Sequence, residues 1–137
     1  MFERALKFRR VLDKQAGGPG KANFMFLGDL NTMGMNYPFD HGITAEVELK
    51  KLDAGAKRAK MRRLTKNGPH TWWNGPQGSL PPSNLDHGVA ADHLRFRQFT
   101  GAEIDVRGWP TEPEPKQGAW IERYSDHALL FVQIERL

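Results

Sequence analysis

The chain has 137 residues, of which 39% are apolar and 26% charged, and its mean hydropathy is −0.63. Those values read as one soluble domain or a piece of one, and they exclude a collagen-like or wholly disordered chain. Cysteine is absent, which excludes disulfides and thiolate metal sites, and no apolar run approaches the roughly 20 residues of a membrane span.

The net charge of +4 mildly favours an anionic partner such as a phosphate or a nucleic acid. Its distribution is more telling. Eight basic residues (Lys50, Lys51, Lys57, Arg58, Lys60, Arg62, Arg63, Lys66) and one acid, Asp53, fall between positions 50 and 66. That segment carries +7, and the rest of the chain is net acidic.

Residues 2–15 place Ala5, Phe8 and Leu12 at helical spacing, with Leu6 and Val11 beside them. The start reads as an amphipathic helix rather than a signal peptide, so the cytoplasm is the default compartment. Ala16-Gly-Gly-Pro-Gly-Lys21 is a breaker. The apolar run 24–27 between breakers suits a strand buried on both faces. Residues 31–42 are loop. A second helix is expected from Thr44 to about Leu64, with Ala45, Leu49, Leu52, Ala56 and Ala59 on one face. Thr44 caps it, Glu46 and Glu48 suit its N-terminal end, and Arg62 and Arg63 suit its C-terminal end. Much of the basic cluster is then the solvated side of a helix, with a nucleic-acid contact as the alternative.

Beyond Pro69 the pattern turns to short strands. Thr71-Trp72-Trp73 is β-prone, residues 74–83 are a Gly/Pro loop, and 85–90 is a strand interrupted at Gly88. Leu94, Phe96, Ile104 and Val106 alternate. Residues 109–118, with Pro110, Pro113 and Pro115, read as loop. Residues 128–134 are apolar on both faces and read as a central, covered strand.

Three segments pair acids with Asn or His, each beside an expected strand: Gly28-Asp29-Leu30-Asn31, Ser83-Asn84-Leu85-Asp86-His87 and Tyr124-Ser125-Asp126-His127. In an extended segment Asp29 and Asn31 point to the same side, and Gly28 permits a close approach or an unusual φ. A carboxylate and an amide on one side can bind a cation or hold an anionic oxygen. An Asp beside a His fixes the imidazole's tautomer and makes it a better base or phosphate-contacting cation. Asp40-His41 and Asp92-His93 are given no role, and the spacing of His41, His70 and His93 supports no metal site of its own.

In order and context these segments resemble the late motifs of the endonuclease/exonuclease/phosphatase superfamily, which includes DNase I-like nucleases, sphingomyelinases and inositol polyphosphate phosphatases. The matching residues are Gly28-Asp29-Leu30-Asn31, Leu85-Asp86-His87 and Ser125-Asp126-His127, with Thr71-Trp72-Trp73 and Gly108-Trp109 before the second and third. The resemblance runs from Phe24 onward and covers only the C-terminal half of such a domain.

It implies an α/β fold: half of a four-layered α/β sandwich, with a mixed, mostly antiparallel sheet and helices on one face. The whole chain, 1–137, is then a single unit. The implied activity is metal-dependent hydrolysis of phosphate esters, a nuclease being slightly favoured by the basic helix. The implied catalytic residues are Asp29, Asn31, Asp86 and His127. Asp29 orients or activates the attacking water or helps the leaving group, Asn31 binds the phosphate, His127 contacts it as a charged donor or serves as the base, and Asp86 orients His127. Asp126 and Asp29 are the implied metal residues, for Mg²⁺ or Mn²⁺, since oxygen ligands favour hard cations. Ser125 shapes the turn, and His87 is read as a packed, satisfied histidine. Trp72, Trp73 and Trp109 either pack in the core or stack on a base or sugar.

The family's first half supplies an Asn and a metal-binding Glu, for which no segment is found here. A half-domain would leave one sheet face bare. The expectation is therefore a fragment, a split-enzyme subunit or a dimer that needs a second chain. The alternatives are a non-catalytic phosphate- or nucleic-acid-binding remnant, or a phosphatase or lipid phosphodiesterase.

Overall fold

The computed structural model describes residues 2–34 and 42–135; the expected loop at 31–42, including Asp40 and His41, lies mostly outside them. Helix α1 covers Phe2–Gln15, as its periodicity requires, but it turns a different face inward. Leu6, Arg9 and Asp13 are buried, whereas Phe8 and Val11 are exposed. The cause is Asp13. Its carboxylate accepts the backbone N–H groups of Gly20 and Ala22, both at 2.9 Å, and so folds the breaker back onto the helix. Arg9 follows it inside and pairs with it through Nε at 2.8 Å. The Arg9 Nη1 and Nη2 atoms are buried without a hydrogen-bond partner among the described residues.

Strand β1 (Met25–Asp29) is followed by helix α2 (Ala45–Arg58), which Thr44 caps by accepting the Val47 N–H at 3.2 Å. The helix stops six residues before its expected end. The chain reverses at Ala59 and Lys60, the latter at φ 55°, and enters strand β2 (Met61–Arg63). Arg62 and Arg63 are therefore strand residues that do not cap the helix. They pair with Glu103 and with Asp53, and the Arg63–Asp53 bond is 2.7 Å. Met61 is the physical reason, because burying it at the sheet requires the turn.

Strand β3 (Asp86–Ala91) is central: it pairs antiparallel with β1 on one side and β2 on the other, and all six residues are buried. Gly88 does not interrupt it. Strand β1, expected to be covered on both faces, is instead an edge with Leu27 exposed. Strand β4 (Asp105–Arg107) and strand β5 (Leu129–Phe131) form a separate antiparallel pair. The expected central strand at 128–134 is thus a three-residue edge with Leu129 and Ile134 exposed. The proline-rich stretch read as loop holds a 3₁₀ turn (Trp109–Thr111) and helix α3 (Glu114–Arg123). Its prolines stand before or within the first turn, where the missing N–H costs nothing, so they start the helix instead of blocking it.

The fold is mixed α/β with two small antiparallel sheets and three helices among the described residues. One apolar cluster joins Leu6 of α1, Leu52 and Ala56 of α2, Met61 of β2 and Val89 of β3. The other joins Ala90 of β3 to Leu64, Phe96, Ile104, Val106 of β4 and Ala128, with Leu130 of β5 against it. Helices cover one face of the three-stranded sheet and the β4–β5 pair covers the other, so the central strand has no bare face. Within the strands the exposed large apolar side chains, Leu27 and Leu129, lie on edge strands. No helix among the described residues is long and apolar enough to cross a membrane.

Candidate active site

The register of β1 against β3 sets Asp29 opposite Asp86, at the C-terminal end of one strand and the N-terminal end of the other. Gly28 is at φ 133°, a region closed to most L-residues, and a Cβ there would meet nothing within 4 Å. Conformation, rather than close approach, is what the glycine provides. Asp29 and Asn31 do meet, but not by strand alternation. Asn31 leaves the strand at φ 51°, a position Asn tolerates. Its N–H donates to Asp29 Oδ1 at 2.8 Å and its Nδ2 to Oδ2 at 3.1 Å. The local Asx turn does the work that extension was expected to do.

His127 arrives from the other side of the chain. The backbone of 71–73 docks on 126–128: Trp73 N–H donates to Asp126 O at 3.0 Å and Ala128 N–H to Thr71 O at 2.7 Å. Ser125 Oγ accepts the His127 N–H at 3.0 Å, the turn-shaping role expected for it. The ring then lies with Nδ1 2.9 Å from Asp86 Oδ2 and Nε2 4.0 Å from Asp29 Oδ2. The structure thus brings together Asp29, Asn31, Asp86 and His127. Asp86 is nearly buried, while the His127 and Asp29 side chains are about one-third exposed, at 31% and 35%. The pair is anchored below and open above.

Partial burial of the ring pulls the His127 pKa down, but the hydrogen bond its Nδ1–H donates to Asp86 and the charges of Asp86, Asp126 and Asp29 outweigh it. The net shift is upward, so the imidazolium persists above the usual histidine range.

Asp126 has a different place. It is exposed, and its Oδ2 accepts the Trp72 indole N–H at 2.9 Å. Trp109 is buried, packs on Trp73 and donates to the Asp126 carbonyl at 3.1 Å. It is a core residue and not a stacking platform. Among the described residues no group of three or more His, Asp or Glu side chains converges to hold a metal. Both Asp29 oxygens are engaged by Asn31, and Asp126 is engaged by Trp72. The residues present do not by themselves fit a resident Mg²⁺ or Mn²⁺.

A buried polar layer beneath the cluster escaped sequence reasoning. Thr71 Oγ1 accepts the N–H groups of Leu85 and Asp86 at 3.0 and 2.9 Å, fixing the start of β3. Lys66 Nζ donates to the Asp86 carbonyl and to Asn84 Oδ1. Burial brings its pKa down to about 8, with the Asp86 charge opposing and the Arg63 charge adding. Thr32 donates to the Asn84 carbonyl at 2.9 Å and lies 2.8 Å from His87 Nε2. His87 is packed as expected but not fully satisfied: its Nδ1 is buried without a partner among the described residues. Desolvation, then the charges of Lys66 and Arg63, push its pKa down to about 4. Asn84 and Thr71 lie inside segments already singled out and Lys66 in the basic segment, but none of these, nor Thr32, carries a sequence signal for this role.

Comparison with protein-family models found no match, and comparisons with curated proteins and with solved structures found none either.

Proposed function

We propose that the chain carries the phosphate-contacting part of a phosphoesterase site. The single observation behind this reading is the His127 imidazole, held at 2.9 Å by a buried carboxylate, facing a second carboxylate that is itself tied to an amide. An anionic phosphate needs donors and positive charge aimed at it. His127 in its imidazolium form supplies the charge through Nε2, the nitrogen not taken by Asp86. Asn31 supplies an amide donor beside it. Asp86 holds the ring's tautomer and orientation. Asp29, partly exposed, is the group positioned to take a proton from an attacking water or to return one to a leaving oxygen.

Mg²⁺ or Mn²⁺, if the reaction uses one, needs ligands beyond those described here. A second chain or an N-terminal segment carrying a Glu would supply them and would complete the four-layered sandwich. The same shortage of ligands favours, as second reading, a module that binds phosphate without turning it over.

Two measurements separate these readings. Titration of inorganic phosphate into the chain, followed by the NMR signals of the His127 ring, is expected to show saturable binding that weakens as pH rises through the His127 pKa. Hydrolysis of bis-p-nitrophenyl phosphate and of nicked or abasic DNA with Mg²⁺ is expected only when a complementary segment is added. Phosphate binding that is unchanged in His127→Ala and Asn31→Ala overturns the site. Binding without turnover in any complemented mixture selects the second reading.

A further inference from the structure

At the opposite end of the three-stranded sheet lies a cleft of about 490 Å³ walled by Gly20, Lys21, Asn23, Lys60, Asp92 and His93. Met25 pairs with Ala90 and Met61 with Ala91 at that end, whereas Asp29 pairs with Asp86 at the other. Five residue steps along β3, about 17 Å, separate the two. We propose that this cleft is a phosphate-binding site whose ligand is the backbone of a nucleic acid strand.

Several cations of the basic segment are already used. In the basic segment Lys50 pairs with Glu46, Arg62 with Glu103 and Arg63 with Asp53, and Lys66 points inward to Asp86 and Asn84. Lys60 has no ion pair among the described residues, and neither does Lys21, which faces it from the loop before β1. His93 stands on the third wall, its ring fixed by Asn23 Oδ1 at 2.7 Å from Nε2. Asp92 is the one acid in the lining. Two lysines without ion pairs and an oriented imidazole thus line one cleft from three separate segments.

Lys60 adds an observation of its own. It occupies φ 55° at the turn between α2 and β2, a conformation that Gly or Asn takes with less strain. Its backbone is well anchored there, since its carbonyl accepts the Asp92 N–H at 3.1 Å. A long cationic side chain kept at a strained position points to a use for the side chain.

The nucleic-acid ligand follows from what adjoins the cleft. A second cleft of about 340 Å³ shares Asp92 and is lined by Asp53, Lys57, Met61, Arg62 and Arg63. Arg62 and Arg63 are paired there, but Lys57 has no ion pair among the described residues, so with Lys21 and Lys60 unpaired cations stand at successive positions, as a chain of phosphates requires and a single small anion does not.

The test is fluorescence anisotropy of a labelled 20-nucleotide DNA, single-stranded and duplex, across a salt series. The double variant Lys21→Gln/Lys60→Gly is expected to bind at least 10-fold more weakly at low salt. Removing two phosphate contacts is also expected to flatten the slope of log K against log[salt] by roughly 1.4–1.8. Lys60→Gly is expected to keep or raise the melting temperature, so lost binding is not lost fold. Lys21→Gln alone, in an exposed loop, checks the same point without touching the turn. The same double variant is expected to leave phosphate binding at the His127 ring unchanged in the NMR titration, so failure of the phosphoesterase reading is read separately. Wild-type affinity and salt slope in the double variant overturn the proposal. So does binding to phosphatidylserine vesicles, or of inorganic phosphate at Lys60 and His93, in a chain that does not bind the DNA.

Discussion

The two faces of β3 solve opposite problems with neighbouring residues. On one face His87 and Val89 turn toward the helices; on the other Asp86, Gly88 and Ala90 turn toward the β4–β5 side. His87 and His127 are both imidazoles within reach of Asp86's surroundings, yet they end in opposite states. His87 has no carboxylate bonded to it and is surrounded by low dielectric and cationic groups, so it is held neutral. His127 has a carboxylate at 2.9 Å and stays partly wet, so its pKa is raised. Partners and water decide the chemistry of an imidazole; its sequence neighbours do not.

The largest expected effect comes from breaking the charged face. Asp86→Asn keeps the shape but removes the charge, so the His127 ring is expected to titrate at lower pH in an NMR titration. In a complemented, active preparation, turnover of bis-p-nitrophenyl phosphate is expected to fall on the order of 10²–10⁴-fold. An unchanged His127 titration would show that Asp86 does not hold the ring charged.

The neutral face is sharpened by pH. Folded His87 stays unprotonated down to about pH 4, whereas an unfolded histidine takes its proton near 6.5. Below pH 6.5 the unfolded state therefore binds the extra proton, and stability is lost as pH falls toward 4. A shift of that size corresponds to about 3 kcal/mol in urea unfolding followed across that window. His87→Phe is expected to flatten this part of the profile; a slope equal to the wild type would assign the acid sensitivity to other groups.

Packing differs between the faces as well. Val89→Ala removes fully buried methyl groups from the helix-side cluster and is expected to cost about 2 kcal/mol by the same unfolding measurement. Gly88→Ala puts a Cβ 2.9 Å from Ile104 Cδ1 and 3.4 Å from Leu64 Cδ1. The ends of those side chains can shift, so about 1 kcal/mol is expected. A neutral Gly88→Ala would mean the sheet-side layer is looser than its contacts imply.

Much of the helical content was legible in the sequence. The span of α1 and the start of α2 followed from spacing and from the Thr44 cap, which are interactions between residues three or four apart. The end of α2 was not legible, because Met61 leaves the helical pattern only in order to reach a sheet formed with residues 86–91. The prolines before α3 were misread since the same residue starts a helix or breaks it according to position. At the candidate site the order of the three motifs pointed to Asp29, Asn31, Asp86 and His127, and the fold does bring them together. Lys66, Thr71 and Thr32 were invisible, since their value lies in what they touch 14 to 52 residues away.

By itself the sequence determined the residue types, the local turns and caps, and the presence of carboxylate, amide and imidazole groups in three separate stretches. Only the tertiary structure decided which strand is central, which cations are consumed by ion pairs, and which histidine is paired with a carboxylate. The reason is physical: propensity and capping act over one turn of chain, whereas burial and ionisation depend on partners that the folded backbone brings from a distance.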